Sequence, residues 1–153
     1  MISSVKRTLL HGGQAHVVAG DEATVLVDVL RGPMATPSVA RGCHDGRCGA
    51  CRVLVDGALV NTCTARLGDL RDGAVVETYE DLALEPAAVT AVEAFLAERP
   101  TRCTLCVPSI GVTAVYLARR GEAGNRAAVN EAIDTAACVC TGRGSLRRAL
   151  LAR

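Results

Sequence analysis

The sequence predicts an α+β protein in two parts: a small sheet crossed by one helix over residues 1–80, then an all-helical part over residues 81–153. Three observations predict it. Short apolar runs in the first part are punctuated by Gly12-Gly13 and Asp56-Gly57, dipeptides of tight hairpins. Apolar residues in the second part recur at helical spacing behind Pro86, Pro108 and Asn125. Eight cysteines divide into one group of four in each part, so each small half carries the makings of a metal staple.

The elements follow in order. Residues 6–10 and 14–19 should pair about Gly12-Gly13. Residues 21–31 set Val25, Leu26, Val29 and Leu30 on one helical face, closed by Gly32-Pro33. A loop with Gly42, Gly46 and Gly49 carries the first cysteines. Residues 52–55 and 58–60 form a second hairpin about Asp56-Gly57, and residues 74–78 a last strand. Pro86 suits the first turn of a helix through residue 98, with Val89, Val92, Phe95 and Leu96 on one face. Pro108 opens a helix ending at Gly121, with Arg119 and Arg120 favourably placed at its C-terminal dipole. Asn125 caps a third, with Ala128, Val129, Ala132, Ile133 and Ala136 inward, and Ser145 caps a short fourth. With no Trp, one Phe and two Tyr, the core must be aliphatic.

Charge and hydropathy narrow the function. Seventeen basic against 16 acidic residues leave no electrostatic footprint for nucleic acid. No run approaches the roughly 18 apolar residues of a membrane span. Residues 1–7 hold no apolar core of signal-peptide length, so a cytoplasmic location is expected. Thiols stay reduced there, and many cysteines then point to metal or redox chemistry rather than disulfides.

Cys43, Cys48, Cys51 and Cys63 follow the spacing C-x4-C-x2-C-x11-C. The first three match the plant-type ferredoxin run, in which four thiolates hold a [2Fe–2S] cluster. Gly42, Gly46 and Gly49 allow positive φ and close approach, so backbone N–H groups can point at sulfur. A structural zinc usually shows paired C-x2-C knuckles, and this set has one. His44 is expected on the loop surface. Cys103, Cys106, Cys138 and Cys140 form C-x2-C-x31-C-x-C. Two antiparallel helices between the pairs would return the chain and gather these thiols at one end of a bundle. Zinc remains the competing reading for this second set. Ser145 has no neighbouring His or acid pair and reads as a cap, not a nucleophile.

The run from Gly42 to Cys51, continuing through Val53, Asp56-Gly57 and Cys63, resembles the signature of a known subunit. It is that of the small iron–sulfur subunit of the xanthine dehydrogenase, aldehyde oxidoreductase and carbon monoxide dehydrogenase family of molybdenum hydroxylases. Cys138-Val139-Cys140-Thr141-Gly142 resembles the C-x-C-T-G motif that ends this subunit, and the likeness covers residues 6–151. The resemblance implies a plant-ferredoxin-like β-grasp domain followed by a four-helix bundle domain, each holding one [2Fe–2S] cluster. It implies that the second cluster lies beside the molybdopterin of a large subunit. The first would relay electrons to FAD on a medium subunit, in a heterotrimer or its dimer. No substrate chemistry would occur on this chain. Three departures stand out. Arg102-Cys103-Thr104-Leu105-Cys106 replaces Gln-Cys-Gly-Phe-Cys, which makes Arg102 a candidate contact to the molybdopterin. Val139 and Arg143 replace Arg and Tyr around the C-x-C pair, and Arg52 replaces a Thr. The alternatives are a standalone two-cluster ferredoxin-like carrier and a zinc-stabilised interaction module.

Overall fold

The computed structural model describes residues 3–98, 103–134 and 140–153. Strands β1 (Ser4–His11) and β2 (Gln14–Asp21) pair antiparallel, with His11 opposite Gln14. Gly12 and Gly13 both take positive φ, the geometry of a tight two-residue turn. Strands β3 (Arg52–Val55) and β4 (Ala58–Asn61) repeat the arrangement, with Asp56 and Gly57 at positive φ. Asp56 Oδ1 accepts a bond from the Val75 amide at 2.9 Å and so ties this turn to β5 (Ala74–Glu77). The last strand enters the middle of the sheet, parallel to β1 and antiparallel to β3, giving the order β2-β1-β5-β3-β4.

Helix α1 (Leu26–Arg31) lays Leu26, Val27, Val29 and Leu30 into a core with Leu9, Val18, Val53 and Val76. It is shorter than the expected helix over residues 21–31. Asp21 captures the Ala23 amide, and extended Val25 bridges to Arg66. The Leu26 and Val27 amides donate to the carbonyls of Ala65 and Thr62. The first-turn donors are thus spent on another segment, and a helix cannot start earlier. A 3-10 turn at Leu67–Asp69 and a one-turn helix α2 (Tyr79–Leu82) were not anticipated. A Thr78–Asp81 capping box opens α2, the Thr78 amide donating to Asp81 Oδ2 at 2.8 Å.

Four longer helices follow: α3 (Pro86–Glu98), α4 (Val107–Arg119), α5 (Arg126–Asp134) and α6 (Gly142–Leu151). Helix α4 is central and touches the other three as well as α2, β3 and β4. The buried face of α3 is Ala88, Ala91 and Phe95; of the expected set Phe95 is buried, while Val89 is 37% and Leu96 47% exposed. Small side chains win because α4 approaches closely, with Gly111 packed beneath Tyr79 and Ala88. Asn125 caps α5 as expected, its Oδ1 accepting from the Ala127 amide at 2.9 Å. Val129, Ala132 and Ile133 are buried, while Ala136 lies outside the described residues. Ser145 does not cap α6: the helix begins one turn earlier, behind Thr141. Ser145 shares a buried face with Leu146, Ala149 and Leu150, because positions four apart stack on one side. No helix among the described residues is long and apolar enough to cross a membrane.

Candidate functional site

The loop from α1 to β3 carries the first cysteines and, around them, takes positive φ at His44, Gly46 and Gly49. These turns aim amide groups at sulfur. The Cys48 N–H donates to Cys43 Sγ at 3.2 Å, and the Ala50 N–H to Cys48 Sγ at 3.5 Å. The Gly46 amide donates to Cys63. Gly42 supplies room: a Cβ there would stand 2.5 Å from Cys48 Sγ. Cys51 and Cys63 are buried at the open end of the β3–β4 hairpin, linked through Thr62, whose hydroxyl donates to the Cys51 carbonyl at 2.8 Å. Asn61 Nδ2 donates to the Gly46 carbonyl at 3.1 Å and pins the loop to β4. His44 is exposed, as the sequence suggested.

The electrostatics separate these thiols. Burial pushes Cys43 up, as does its bond to the Asp45 carboxylate, but the amides of Cys48 and Asp45 outweigh both and hold it below the ordinary thiol range. Burial raises Cys48, with its bond to Cys43 adding to it. Cys63 is pushed up to about 12, first by burial, then by its bond to Cys51 and the negative charge of its sulfur neighbours. Gathered thiolates repel one another, and a positively charged metal core offsets that repulsion. Sulfur ringed by amide donors in a glycine-rich loop is the donor set that suits an anionic iron–sulfur cluster. Among the described residues, no three Cys, His, Asp or Glu side chains stand close enough together to hold a single metal ion.

The described members of the second set flank the starts of α4 and α6. Cys106 is the buried N-cap residue of α4, Cys103 is half-buried just before it, and Cys140 is exposed two residues before α6. Thr141 Oγ1, next to Cys140 in the chain, is buried and has no partner among the described residues. Cys138, Val139 and Arg102 lie outside the described residues. A cavity of about 300 Å³ is bounded by Gly42, Cys43 and Cys48 from the loop and by Cys103, Cys106 and Cys140 from the helical part. The fold thus brings members of both sets to one cavity, while Cys51 and Cys63 stay beneath the loop in the sheet core.

One residue of the site was not read as such from sequence. Arg52, directly after Cys51, is only 7% exposed. Its Nη2 donates to the Ala132 carbonyl of α5 at 2.8 Å, its Nη1 to Thr113 Oγ1 of α4 at 3.4 Å and its Nε to Asn61 Oδ1 of β4 at 3.3 Å. Burial pulls it down to about 10 against the opposing pull of negative charge at Cys51 and Cys48, so it stays a cation at neutral pH. The available signal was a lone charge opening an otherwise apolar strand.

No protein-family model matches the chain. Individual proteins do. It is 33% identical over 141 residues to the nicotine 6-hydroxylase small subunit of Paenarthrobacter nicotinovorans, covering 91% of this chain and 83% of that protein. It is 33% identical over 136 residues to a probable xanthine dehydrogenase subunit of Bacillus subtilis, covering 89% and 78%. Among solved structures, the aldehyde oxidoreductase of Desulfovibrio desulfuricans superposes with a TM-score of 0.79 at 29% identity. That match covers 96% of this chain and 16% of the longer one.

Proposed function

Because the chain belongs to the small iron–sulfur subunits of the xanthine dehydrogenase and aldehyde oxidoreductase family of molybdenum hydroxylases, we propose that it is a two-cluster electron relay within such an enzyme. Cys43, Cys48, Cys51 and Cys63 would hold one [2Fe–2S] cluster, and Cys103, Cys106, Cys138 and Cys140 the other. A cluster of this type, when bound, supplies one-electron redox chemistry. The chain's own work is to hold and insulate. Glycine-shaped turns place the Cys48 and Ala50 amides on sulfur, which stabilises negative charge there. Buried Ala40, Ala50 and Phe95 share one apolar core with Cys106, against which Cys48 packs. In this reading residues 1–80 form a β-grasp domain of plant-ferredoxin type and residues 81–153 a four-helix bundle domain.

The observation that carries the reading is the cavity of about 300 Å³ walled by cysteines of both sets. Two redox groups on either side of it would lie close enough for electrons to pass without diffusion of the protein. The donor would be a molybdopterin centre on a large subunit, and the acceptor FAD on a medium subunit. In the aldehyde oxidoreductase, the matching stretch is one part of a much longer polypeptide, which favours a permanent partner over a free carrier. The cytosol, where thiols stay reduced, suits such a complex. Substrate would bind elsewhere than on this chain.

The test is EPR spectroscopy of the dithionite-reduced complex. Cys43→Ser or Cys51→Ser should remove one [2Fe–2S] signal, and Cys103→Ser or Cys140→Ser the other, each lowering iron content. Two intact signals in any of these variants, or zinc in place of iron in the wild type, would refute the assignment.

A further inference from the structure

Arg52 carries its guanidinium into the core where β4, α4 and α5 meet. The residue follows Cys51 in the chain, and it lines a small cavity of about 20 Å³ together with Cys48 of the first set and Cys106 of the second. Three anchors on three elements hold it: Asn61 on β4, Thr113 on α4 and the Ala132 carbonyl on α5. These three acceptors are neutral and orient the guanidinium. Thr113 is itself fixed, its hydroxyl donating to the Ser109 carbonyl at 2.7 Å. An arginine keeps its charge under all physiological conditions. Buried and held from three sides, it acts on nearby sulfur through a less polar medium than water and needs no rearrangement when that charge changes.

We propose that Arg52 sets the potential of the relay: its fixed positive charge, clamped where β4, α4 and α5 meet, stabilises the extra electron on the first-set cluster. The inference rests on the two-cluster reading above. In each transfer one iron pair would lose one electron and the other would gain it. No bond forms or breaks, and Arg52 neither gives nor takes a proton. The reduced cluster carries one more negative charge than the oxidised one, so a cation beside it favours reduction. Arg52 follows Cys51 directly in the chain and lines a cavity with Cys48, two members of the first set against one, Cys106, of the second, so the first set feels the charge most. An arginine with a purely architectural task would serve equally well with any residue that keeps the hydrogen bonds.

The decisive measurement is an EPR-monitored redox titration of the intact enzyme complex, with the two signals assigned through the cysteine variants. Arg52→Gln keeps hydrogen-bond donors and removes the charge. It should lower the reduction equilibrium of the first-set signal at least tenfold, a negative shift of about 59 mV for one electron. The second-set signal should move less. Arg52→Lys keeps the charge and should stay close to wild type, and Arg52→Met gives a second neutral variant of similar bulk. Unmoved potentials in Arg52→Gln with both signals present would overturn the proposal, as would equal shifts in Arg52→Lys and Arg52→Gln. Loss of the clusters in both neutral variants would also overturn it and leave Arg52 an architectural role. If the wild-type enzyme shows no [2Fe–2S] signal, the cluster reading fails first and this inference with it.

Discussion

Gly42 owes its place to space rather than to an unusual backbone. A Cβ there would meet Cys48 Sγ at 2.5 Å and Ala50 Cβ at 3.6 Å. The sulfur atom cannot yield without leaving the cavity wall, so Gly42→Ala should displace Cys48. Iron analysis should then show loss of about half the metal, since each cluster needs four thiolates, while the helical-set EPR signal persists. Full iron content would show that the loop can give way. Gly46 and Gly49 act differently: their φ values of 81° and 66° lie where a side chain is strained. Glu80 shows a residue-scale effect of charge. Its carboxylate accepts from the Ser38 amide at 2.8 Å, from the Ser38 hydroxyl, and from Thr78 Oγ1 at 2.6 Å. Partial burial pushes Glu80 up, but these donors bring it below the usual glutamate range. A carboxylate with a lowered pKa stabilises the fold above its unfolded pKa and loses that contribution as pH falls through the folded one. Glu80→Gln should therefore cost about 1 kcal/mol at pH 7, limited by solvent screening. Urea midpoints should show the deficit shrinking below about pH 4.5. A deficit of constant size at all pH values would assign the effect to shape instead.

At the scale of elements, close approach decides which helix faces are buried. Sequence periodicity favoured the large side chains of α3, yet Ala88 and Ala91 face α4 and Val89 and Leu96 face outward. Gly111 explains the preference. A Cβ there would lie 2.5 Å from Tyr79 Cε2 and 3.4 Å from Ala88 Cβ. Gly111→Ala would gain about 1 kcal/mol of helix propensity but must push the Tyr79 ring aside, and overpacking costs about 1–3 kcal/mol. The clash should win, lowering the thermal midpoint. Adding Tyr79→Leu should restore part of the loss, because the two positions are in contact and their effects are not additive. An unchanged midpoint in Gly111→Ala would show that the ring moves freely. The hairpins, by contrast, were fully legible. Gly12-Gly13 and Asp56-Gly57 need positive φ at both turn positions, and few other dipeptides supply it.

Across the whole molecule, β3 is buried on both faces. Val53 and Val55 point into the sheet core with α1, whereas Leu54 packs against Leu82, Ala88, Val112 and Val115 of the helices. Arg119 at the end of α4 adds an ion pair to Glu77 on β5 at 2.9 Å and another to Glu85 at 2.6 Å. Leu54→Ala should open a cavity at this junction and cost about 2–5 kcal/mol. Thermal unfolding followed by far-UV circular dichroism should show the drop, and a change under about 1 kcal/mol would mean that the helices close over the gap.

The sequence alone determined the two hairpins, the start of α3, the cap of α5 and the grouping of eight cysteines. All are read from local pattern: turn dipeptides, Pro and Asn at helix starts, and the spacing of cysteines. Tertiary structure alone decided the insertion of β5 between β1 and β3 and the short span of α1, whose first donors go to the distant Thr62 and Ala65 carbonyls. It also decided the meeting of members of both cysteine sets at one cavity and the burial of Arg52 against α4 and α5. These depend on partners far apart in the chain, such as Arg52 and Ala132, and local pattern carries no record of which distant segment will supply them.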